Sequence, residues 1–456
     1  MNVKEIVKEL AAIVGEDHVT DEDFILAAYD QDFGTYPPSI PLVVVRPGST
    51  EEVSVVMKFC NENKVPVSPR GGGSAQEGGC LAAEKGIVLE TLRLDKIVEM
   101  DKTNNTVTAG SGITFASLMN ALERNGQKIG VAPSGAIPGT IGGHLSRPGV
   151  GWGNIKYSSQ GDQVLGVTAV LPNGDIIKTG TAANPNADCF YRYCLGPDLT
   201  GLFIGAEGAY GIVTEATLRT YAMPEVIYLE RYVGTDLHDA VEIFQQIAFQ
   251  ELTCYVSCPV INPGFILFDI NVEGTQEDVD MRVRRVREIV AKYPSFELKG
   301  SDAPMEFWRN RWYHTGEEFA KGIAGPVNYF LPYDKLEEAT LIMRGIMDKY
   351  GIKTYSQQMF IGPSCSEHVS LMFYYPGDKE EYEKISKAVD EMMRKSLELG
   401  GAPYSKGRLW GPLLNEFLGE TGYWNLANSI KAWLDPNNIM NPGVLGLKGS
   451  REWEAR

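Results

Sequence analysis

The sequence lacks what several large classes of protein require. No stretch approaches the roughly 18 consecutive apolar residues of a membrane-spanning helix,. Positive charge is scarce: 42 Lys and Arg stand against 59 Asp and Glu, giving a net charge of −17. A nucleic-acid partner is therefore not expected, because phosphate neutralisation needs clustered cations. The short basic run Arg282–Arg287 reads as the solvated face of a helix. The seven cysteines are odd in number and loosely spaced. Neither Cys189/Cys194 nor Cys254/Cys258 is a CxxC pair, so no metal or iron–sulfur site made by this chain is expected. Histidine is also sparse, with five in all: His18, His144, His238, His314 and His368. Two common nucleotide cradles are missing. No GxxxxGK[ST] occurs, and after Gly71 and Gly73 the place of the third Rossmann glycine is taken by Gln76.

What is present is an ordinary composition for a soluble enzyme, 43% hydrophobic and 22% charged,. The N-terminus alternates charged and apolar residues at helical spacing, unlike the apolar core of a signal peptide. Residues 1–40 read as helices ending in a Pro-containing loop. PLVVVRP then reads as a strand, and a helix through Asn63 opens at Ser49 and Glu52, which stand at capping-box spacing. The strand VPVSP leads into a glycine cluster, completing a β-α-β unit. Residues 130–163 are rich in glycine and proline with little periodicity, the mark of a functional loop. GVTAVLPNGDIIKTG reads as a hairpin turning at Asn173-Gly174. Composition shifts near Met223-Pro224. Beyond it, two successive β-α-β-α patterns suggest a separate domain over about 224–405, followed by a tail that packs back on the first.

Three glycine clusters, at 70–79, 135–153 and 205–211, each adjoin a β-run. Glycine permits close backbone approach and presents inward amide donors, which phosphate-rich cofactors need. Such loops, with a helix N-terminus, suit an anionic diphosphate.

The motifs PVSPRGGGS, VAPSGAIPGTIGGHLS, VLGVTAVLPNGDI, GPDLTGLFIGAEGAYGIVTEATLR and DPNNIMNPG, in that order, resemble the FAD-binding family of vanillyl-alcohol oxidase and 4-cresol dehydrogenase. That family also holds glycolate and D-lactate dehydrogenases and alkylglycerone-phosphate synthase. The resemblance spans nearly the whole chain. It implies an α+β fold: a two-lobed FAD-binding domain of the p-cresol methylhydroxylase (PCMH) type plus a ferredoxin-like α/β substrate (cap) domain. The boundaries expected are 1–223, 224–405 and a returning segment 406–456. By resemblance, Pro69, Arg70, Gly71, Gly72, Gly73, Ser74 and Gln76 wrap the FAD pyrophosphate. Pro133, Ser134, Thr140, Gly142, Gly143 and Ser146 line the ribityl and ring region. Glu207, Gly208, Ile212 and Val213 hold the adenosine side and ring edge, and Asn441 closes the site.

Some relatives attach the flavin through a histidine in the first glycine loop; here that place is Ser74 or Ala75. His368 falls near the late-strand histidine used by another branch, although an ordinary strand-start histidine is the simpler reading. The His-rich metal segments of the 2-hydroxy-acid branch have no counterpart. Tyr404 fits the phenolate-binding tyrosine of the phenol-oxidising branch, but Ser405 stands where that branch has arginine, with Lys406 or Arg408 as substitutes. Tyr404 is thus the first catalytic candidate and His314 the second. Arg309 and Arg311 could clamp a carboxylate. Arg147 and Trp152 lie in the loop expected to border the flavin. The activity implied is oxidation of a small alcohol, alkylphenol or 2-hydroxy acid by hydride transfer to FAD. Electrons then pass to an iron–sulfur subunit, an electron-transfer flavoprotein or a cytochrome. A non-redox transferase and a flavin subunit that only relays electrons are the alternatives. A cytoplasmic location is expected from the unpaired thiols, with the oligomeric state left open.

Overall fold

A computed structural model describes the backbone of residues 1–83, 86–262, 264–319, 322–375 and 377–449, and the side chains of these except 260–262 and 313–319. The first lobe of the FAD-binding region is a small sheet ordered Val19–Thr20, Val44–Val45, Ile87–Glu90, Val67–Arg70, with the last three strands parallel. The helix Thr50–Asn63 crosses between two of them. Its start follows from sequence chemistry: Ser49 is extended and its hydroxyl accepts from the Glu52 amide at 3.2 Å. The return half of the expected capping box is displaced by one residue, because the Glu52 carboxylate accepts from Gly48 N at 2.7 Å. The helix ends at Lys64, which is left-handed at φ 56°.

The second lobe is antiparallel, ordered Ile97–Asp101, Thr106–Gly110, Ile212–Ala222, Val164–Val170, Ile176–Lys178. The last pair turns at Asn173-Gly174, with Gly174 at φ 86° and its amide donating to the Leu171 carbonyl. The glycine loops leave the edges where these two lobes meet.

The cap is one eight-stranded sheet made of two halves. The first contains β1 (Val226–Gly234), α1 (Leu237–Phe249), β2 (Tyr255–Asn262), β3 (Phe265–Gly274), α2 (Gln276–Val290) and β4 (Phe296–Gly300). Then α3 (Asp302–Phe319) crosses to the second half: β5 (Ile323–Leu331), α4 (Leu336–Lys349), β6 (Tyr355–Ile361), β7 (Ser366–Tyr374), α5 (Lys379–Glu398) and β8 (Ala402–Pro403). The sheet order is β4-β1-β3-β2-β6-β7-β5-β8. Each half is therefore a ferredoxin-like β-α-β-β-α-β unit, and the two join edge to edge through antiparallel β2 and β6. Sequence periodicity points to β-α-β-α halves and misses four of these strands: β2, β4 and β6, which lack clean alternation, and the two-residue β8. Pairing β2 with β6 removes two exposed edges at once.

The helices bury stripes at helical spacing; in α2 these are Val279, Val283, Val286, Ile289 and Val290,. The arginines of the basic run lie mostly on its exposed side, but Arg287 reaches the buried Glu230 at 2.7 Å. The first half of the cap has a core of its own around Phe244, Phe268 and Val286. In the second half, Val327, Met343 and Met392 belong to the core that also holds Val107, Ala216 and Leu218 of the antiparallel lobe. All seven cysteines are free. Among the described residues no helix is long and apolar enough to cross a membrane.

The tail is tied to the first glycine loop. Asn441 N donates to Val67 O, and the buried Arg408 guanidinium donates to the carbonyls of Gly78, Leu81 and Pro442, to Ser68 Oγ and to Asn441 Oδ1. Lys431, also buried, reaches Asp435 and the carbonyls of Ala209 and Met440.

Candidate active site

A cavity of about 840 Å³ opens between the glycine loops and the cap sheet. Every residue expected to meet FAD lines it except Asn441. That residue stands one layer behind: its side-chain amide donates to Gly79 O and Glu207 O, and its oxygen accepts from Arg408. Asn441 thus braces two of the loops rather than facing the cavity.

The first glycine loop must be glycine because another loop interlocks with it. A Cβ at Gly72 would stand 1.7 Å from Pro138 O, and one at Gly71 would stand 2.3 Å from Thr140 Oγ1. Gly73 and Gly208 take φ of 69° and 73°, which side chains disfavour,. The amides of Gly71, Gly72, Gly73 and Ser74 donate to nothing among the described residues. Four successive unpaired donors lining a cavity wall fit an anionic diphosphate, because consecutive free amides form an anion-binding concavity. Arg70 adds charge there, its guanidinium 5.1 Å over the Tyr29 ring.

The third loop is tied to the turn after β8. Glu207 (φ 49°) accepts from Lys406 N at 2.8 Å and Gly407 N at 2.6 Å. Its carboxylate therefore orients the turn after Tyr404. The Lys406 side chain does not line the cavity. Burial pulls its pKa down, against the pull of Glu207.

Two groups of side chains face the cavity from opposite sides. One is polar. Arg147 Nη2 lies 3.8 Å from Glu77 Oε2, which also accepts from Ser405 Oγ at 2.6 Å and Gln76 N at 3.2 Å. Tyr404 is buried and meets Phe330 edge-on, with centroids 5.8 Å apart. Burial, with Glu367 next, pushes its phenol well above the ordinary value. It is therefore a proton donor in the site rather than a base. Glu367 enters from β7, 5% exposed. Burial raises its carboxyl to about 8, with Arg147 opposing and Glu77 reinforcing.

The other group is aromatic. Trp152, from the loop after the second glycine cluster, contacts Tyr255, Phe307 and Trp308 at centroid distances of 4.5, 6.0 and 5.2 Å. Behind it Arg311 is held between Trp308 and Trp312, 3.9 and 4.3 Å from their ring centroids. One guanidinium nitrogen donates to Trp308 O, whereas Nε has no partner. Among the described residues no carboxylate lies within ion-pair distance of Arg311. Burial lowers its pKa to about 10, with Glu123 opposing.

One expectation fails here, and for a geometric reason. Arg309 and Arg311 cannot form one clamp, because residues two apart on a helix face nearly opposite ways. Arg311 lines the cavity and Arg309 is exposed. His368 points away from the cavity: on β7 the residues Glu367, Val369 and Leu371 line it, and His368 faces the other side,. There it packs on Tyr329 at 5.2 Å, and burial lowers its pKa to about 3. No flavin link forms from that face. The side chain of His314 lies outside the described residues. Glu367 and Glu77 were not among the residues singled out from sequence; Arg147 and Trp152 were noted only for their loop. Among the described residues no group of three or more His, Cys, Asp or Glu could hold a metal ion.

This architecture, with an unpaired amide cradle under a ferredoxin-like cap, is that of an FAD-linked oxidoreductase. Residues 41–180 match the FAD binding domain family, and residues 265–445 match the C-terminal domain of FAD linked oxidases. The chain belongs to these FAD-linked oxidases and dehydrogenases, and FAD is its cofactor. It is 26% identical to the glycolate oxidase subunit GlcD of Bacillus subtilis over 99% of each chain. It is 27% identical to the mitochondrial D-lactate dehydrogenase [cytochrome] of Arabidopsis thaliana, over 97% of this chain and 80% of that one. The fold is shared with 4-ethylphenol oxidase from Gulosibacter chungangensis (TM-score 0.86, 18% identity, 97% of each chain). It is shared also with p-cresol methylhydroxylase (TM-score 0.87, 19% identity, 97% and 96%).

Proposed function

We propose that this enzyme dehydrogenates a small hydroxy acid with an apolar body. The observation that carries the reading is Arg311: a cation in the cavity wall, boxed by two indoles and lacking a carboxylate partner among the described residues. A buried arginine without a counter-ion is costly, and a substrate carboxylate is the group that would relieve it. Trp152, Tyr255 and Phe307 between Arg311 and the polar wall form a slot for an apolar or aryl body,. The similarity to glycolate and D-lactate enzymes supports the same class. An alkylphenol fits less well, because Ser405, in the place of the phenol branch's arginine, has its hydroxyl committed to Glu77.

The glycine-loop residues named above, with Arg70, would hold the FAD. Bound FAD supplies a two-electron acceptor at N5. The chain's own residues orient the substrate and exclude water: Arg311 holds the anion, the aromatic slot holds the body, and Tyr404 donates toward the oxygen on the carbon being oxidised. In this reading residues 1–223 and 406–456 carry the cofactor and 224–405 the substrate. Electrons leave to a separate acceptor, an iron–sulfur subunit, an electron-transfer flavoprotein or a cytochrome, since the described residues offer no second redox site. Seven free thiols fit a reducing compartment such as the cytoplasm,.

Anaerobic titration with a panel of hydroxy acids, neutral alcohols and alkylphenols tests this. The hydroxy acids should bleach the flavin, and Arg311→Met should weaken their apparent affinity about 100-fold, as expected for a lost charge-assisted contact. Bleaching by alkylphenols alone, or an Arg311→Met enzyme that binds hydroxy acids as before, overturns the reading.

A further inference from the structure

We propose that Glu367 is the catalytic base of the substrate half-reaction, the group that takes the proton of the substrate hydroxyl. This rests on the dehydrogenase reading above and adds the proton acceptor, which neither the resemblance nor the comparisons assign.

Three observations lead to it. First, β7 is central in the cap sheet, paired on both sides by β5 and β6. Its pleat fixes Glu367 toward the cavity, with Val369 and Leu371 on the same face,. A carboxyl so placed cannot swing to solvent. Second, Glu367 is 5% exposed and has no hydrogen-bond or ion-pair partner among the described residues. Buried acids are normally paired; one aimed unpaired into a substrate cavity is kept for something that is not part of the chain. Third, the alternatives in the same wall are unsuited. Glu77 is taken by Ser405, Gln76 and Arg147. Tyr404 holds its proton, and His368 and His144 face other partners, His144 lying between Gln160 Oε1 and the Val150 carbonyl.

The groups that face Glu367 are Arg147 and Glu77 from the FAD loops, Tyr404 after β8, Tyr255 on β2 and Cys365 before β7. Arg147 alone favours the ionised form. Burial and Glu77 favour the protonated form, which poises the carboxyl near working pH, where a general base is most useful,. The step balances as follows. The substrate O–H bond breaks and its proton passes to a Glu367 carboxylate oxygen. The O–H electron pair becomes the new C=O bond. The C–H pair leaves as hydride, for which the bound FAD is the acceptor.

The test uses the FAD-loaded enzyme and its Glu367→Gln and Glu367→Asp variants. Flavin content and visible spectrum should match wild type, showing that the cofactor site is intact. Rapid anaerobic reduction by whichever panel member bleaches the wild type should fall about 10²- to 10⁴-fold in Glu367→Gln. Glu367→Asp should recover part of that loss. Wild-type reduction should rise with pH through about 8, and the rise should vanish in Glu367→Gln. Binding of the corresponding keto acid, followed by calorimetry in buffers of different ionisation enthalpy, should take up a proton in wild type near pH 8 and none in Glu367→Gln. Full-rate reduction in Glu367→Gln with an unchanged pH profile overturns the role of Glu367 while leaving the Arg311 reading standing. Normal Glu367 effects with an indifferent Arg311→Met variant do the reverse. A wild-type flavin that no hydroxyl-bearing panel member reduces overturns both.

Discussion

In the first half of the cap, buried and half-buried acids meet cations. Glu230 takes Arg287, Asp269 takes both Arg231 nitrogens at 2.7 Å, and Glu273 takes Lys128, Lys156 and the Tyr157 hydroxyl. In the second half, built on the same strand order, Glu367 meets none among the described residues. The halves also differ in their cores: the first is largely self-contained, and the second is continuous with the antiparallel FAD lobe. A repeated fold has thus been used once as a scaffold and once as an active-site wall. The teaching is that burial of an acid says little until its partners are counted. Paired acids belong to the architecture, and the unpaired one belongs to the chemistry.

The comparison can be broken most decisively at Glu273. Glu273→Gln would leave Lys128 and Tyr157 facing an amide, and should cost about 3 kcal/mol in urea unfolding at neutral pH. Flavin reduction rates should not change; a silent substitution would mean the pairing is ornamental. Next is the pH dependence of stability. Burial raises the folded-state pKa of Glu367 to about 8, so the folded protein keeps a proton that the unfolded chain releases above about 4.3,. Its contribution to stability is complete below that lower value and declines as pH rises to about 8. Glu367→Gln lacks this decline. The variant should therefore become the more stable protein as pH rises toward 8, with the gap closing near pH 4. Glu273 behaves oppositely. Burial pushes it up, but Lys128, Tyr157 and Lys156 outweigh burial and hold it below the ordinary value. Its contribution is lost as pH falls through that lowered pKa. The smallest effects concern two arginines. Arg231→Met strands Asp269 and should lower stability by about 1 kcal/mol. Arg311→Met should stay within about 0.5 kcal/mol of wild type in thermal unfolding, since a thioether suits an indole box and no acid is stranded.

The sequence made the cofactor loops readable because glycine marks positions. Gly72 and Gly73 are required by a 1.7 Å approach and a positive φ, so their spacing is itself a geometric record. Arg311 and Tyr404 were also within reach. Glu367 was not. Every residue of β7 is buried on both faces, so no alternation says which side of SEHVSLMFY faces substrate, and the neighbouring histidine drew attention to the wrong face. The pairing of the two cap halves was hidden for a related reason. Their kinship lies in the order of strands, and β2 and β6 carry Ser, Gln, Cys and Pro where a pattern would need regular apolar residues. Asn441 was found by its motif, but its position behind the loops depends on Arg408, more than 320 residues from the carbonyls it gathers.

That arginine sets an order of events in the life of the chain. The carbonyls of Gly78 and Leu81 shape the turn leaving the first glycine loop, and the cation that gathers them is made more than 320 residues after them. A nascent chain still attached to the ribosome short of Arg408 holds an unfinished cradle. Cofactor loading should therefore wait until Arg408 has been made, and a chain stopped just before Arg408 should emerge colourless.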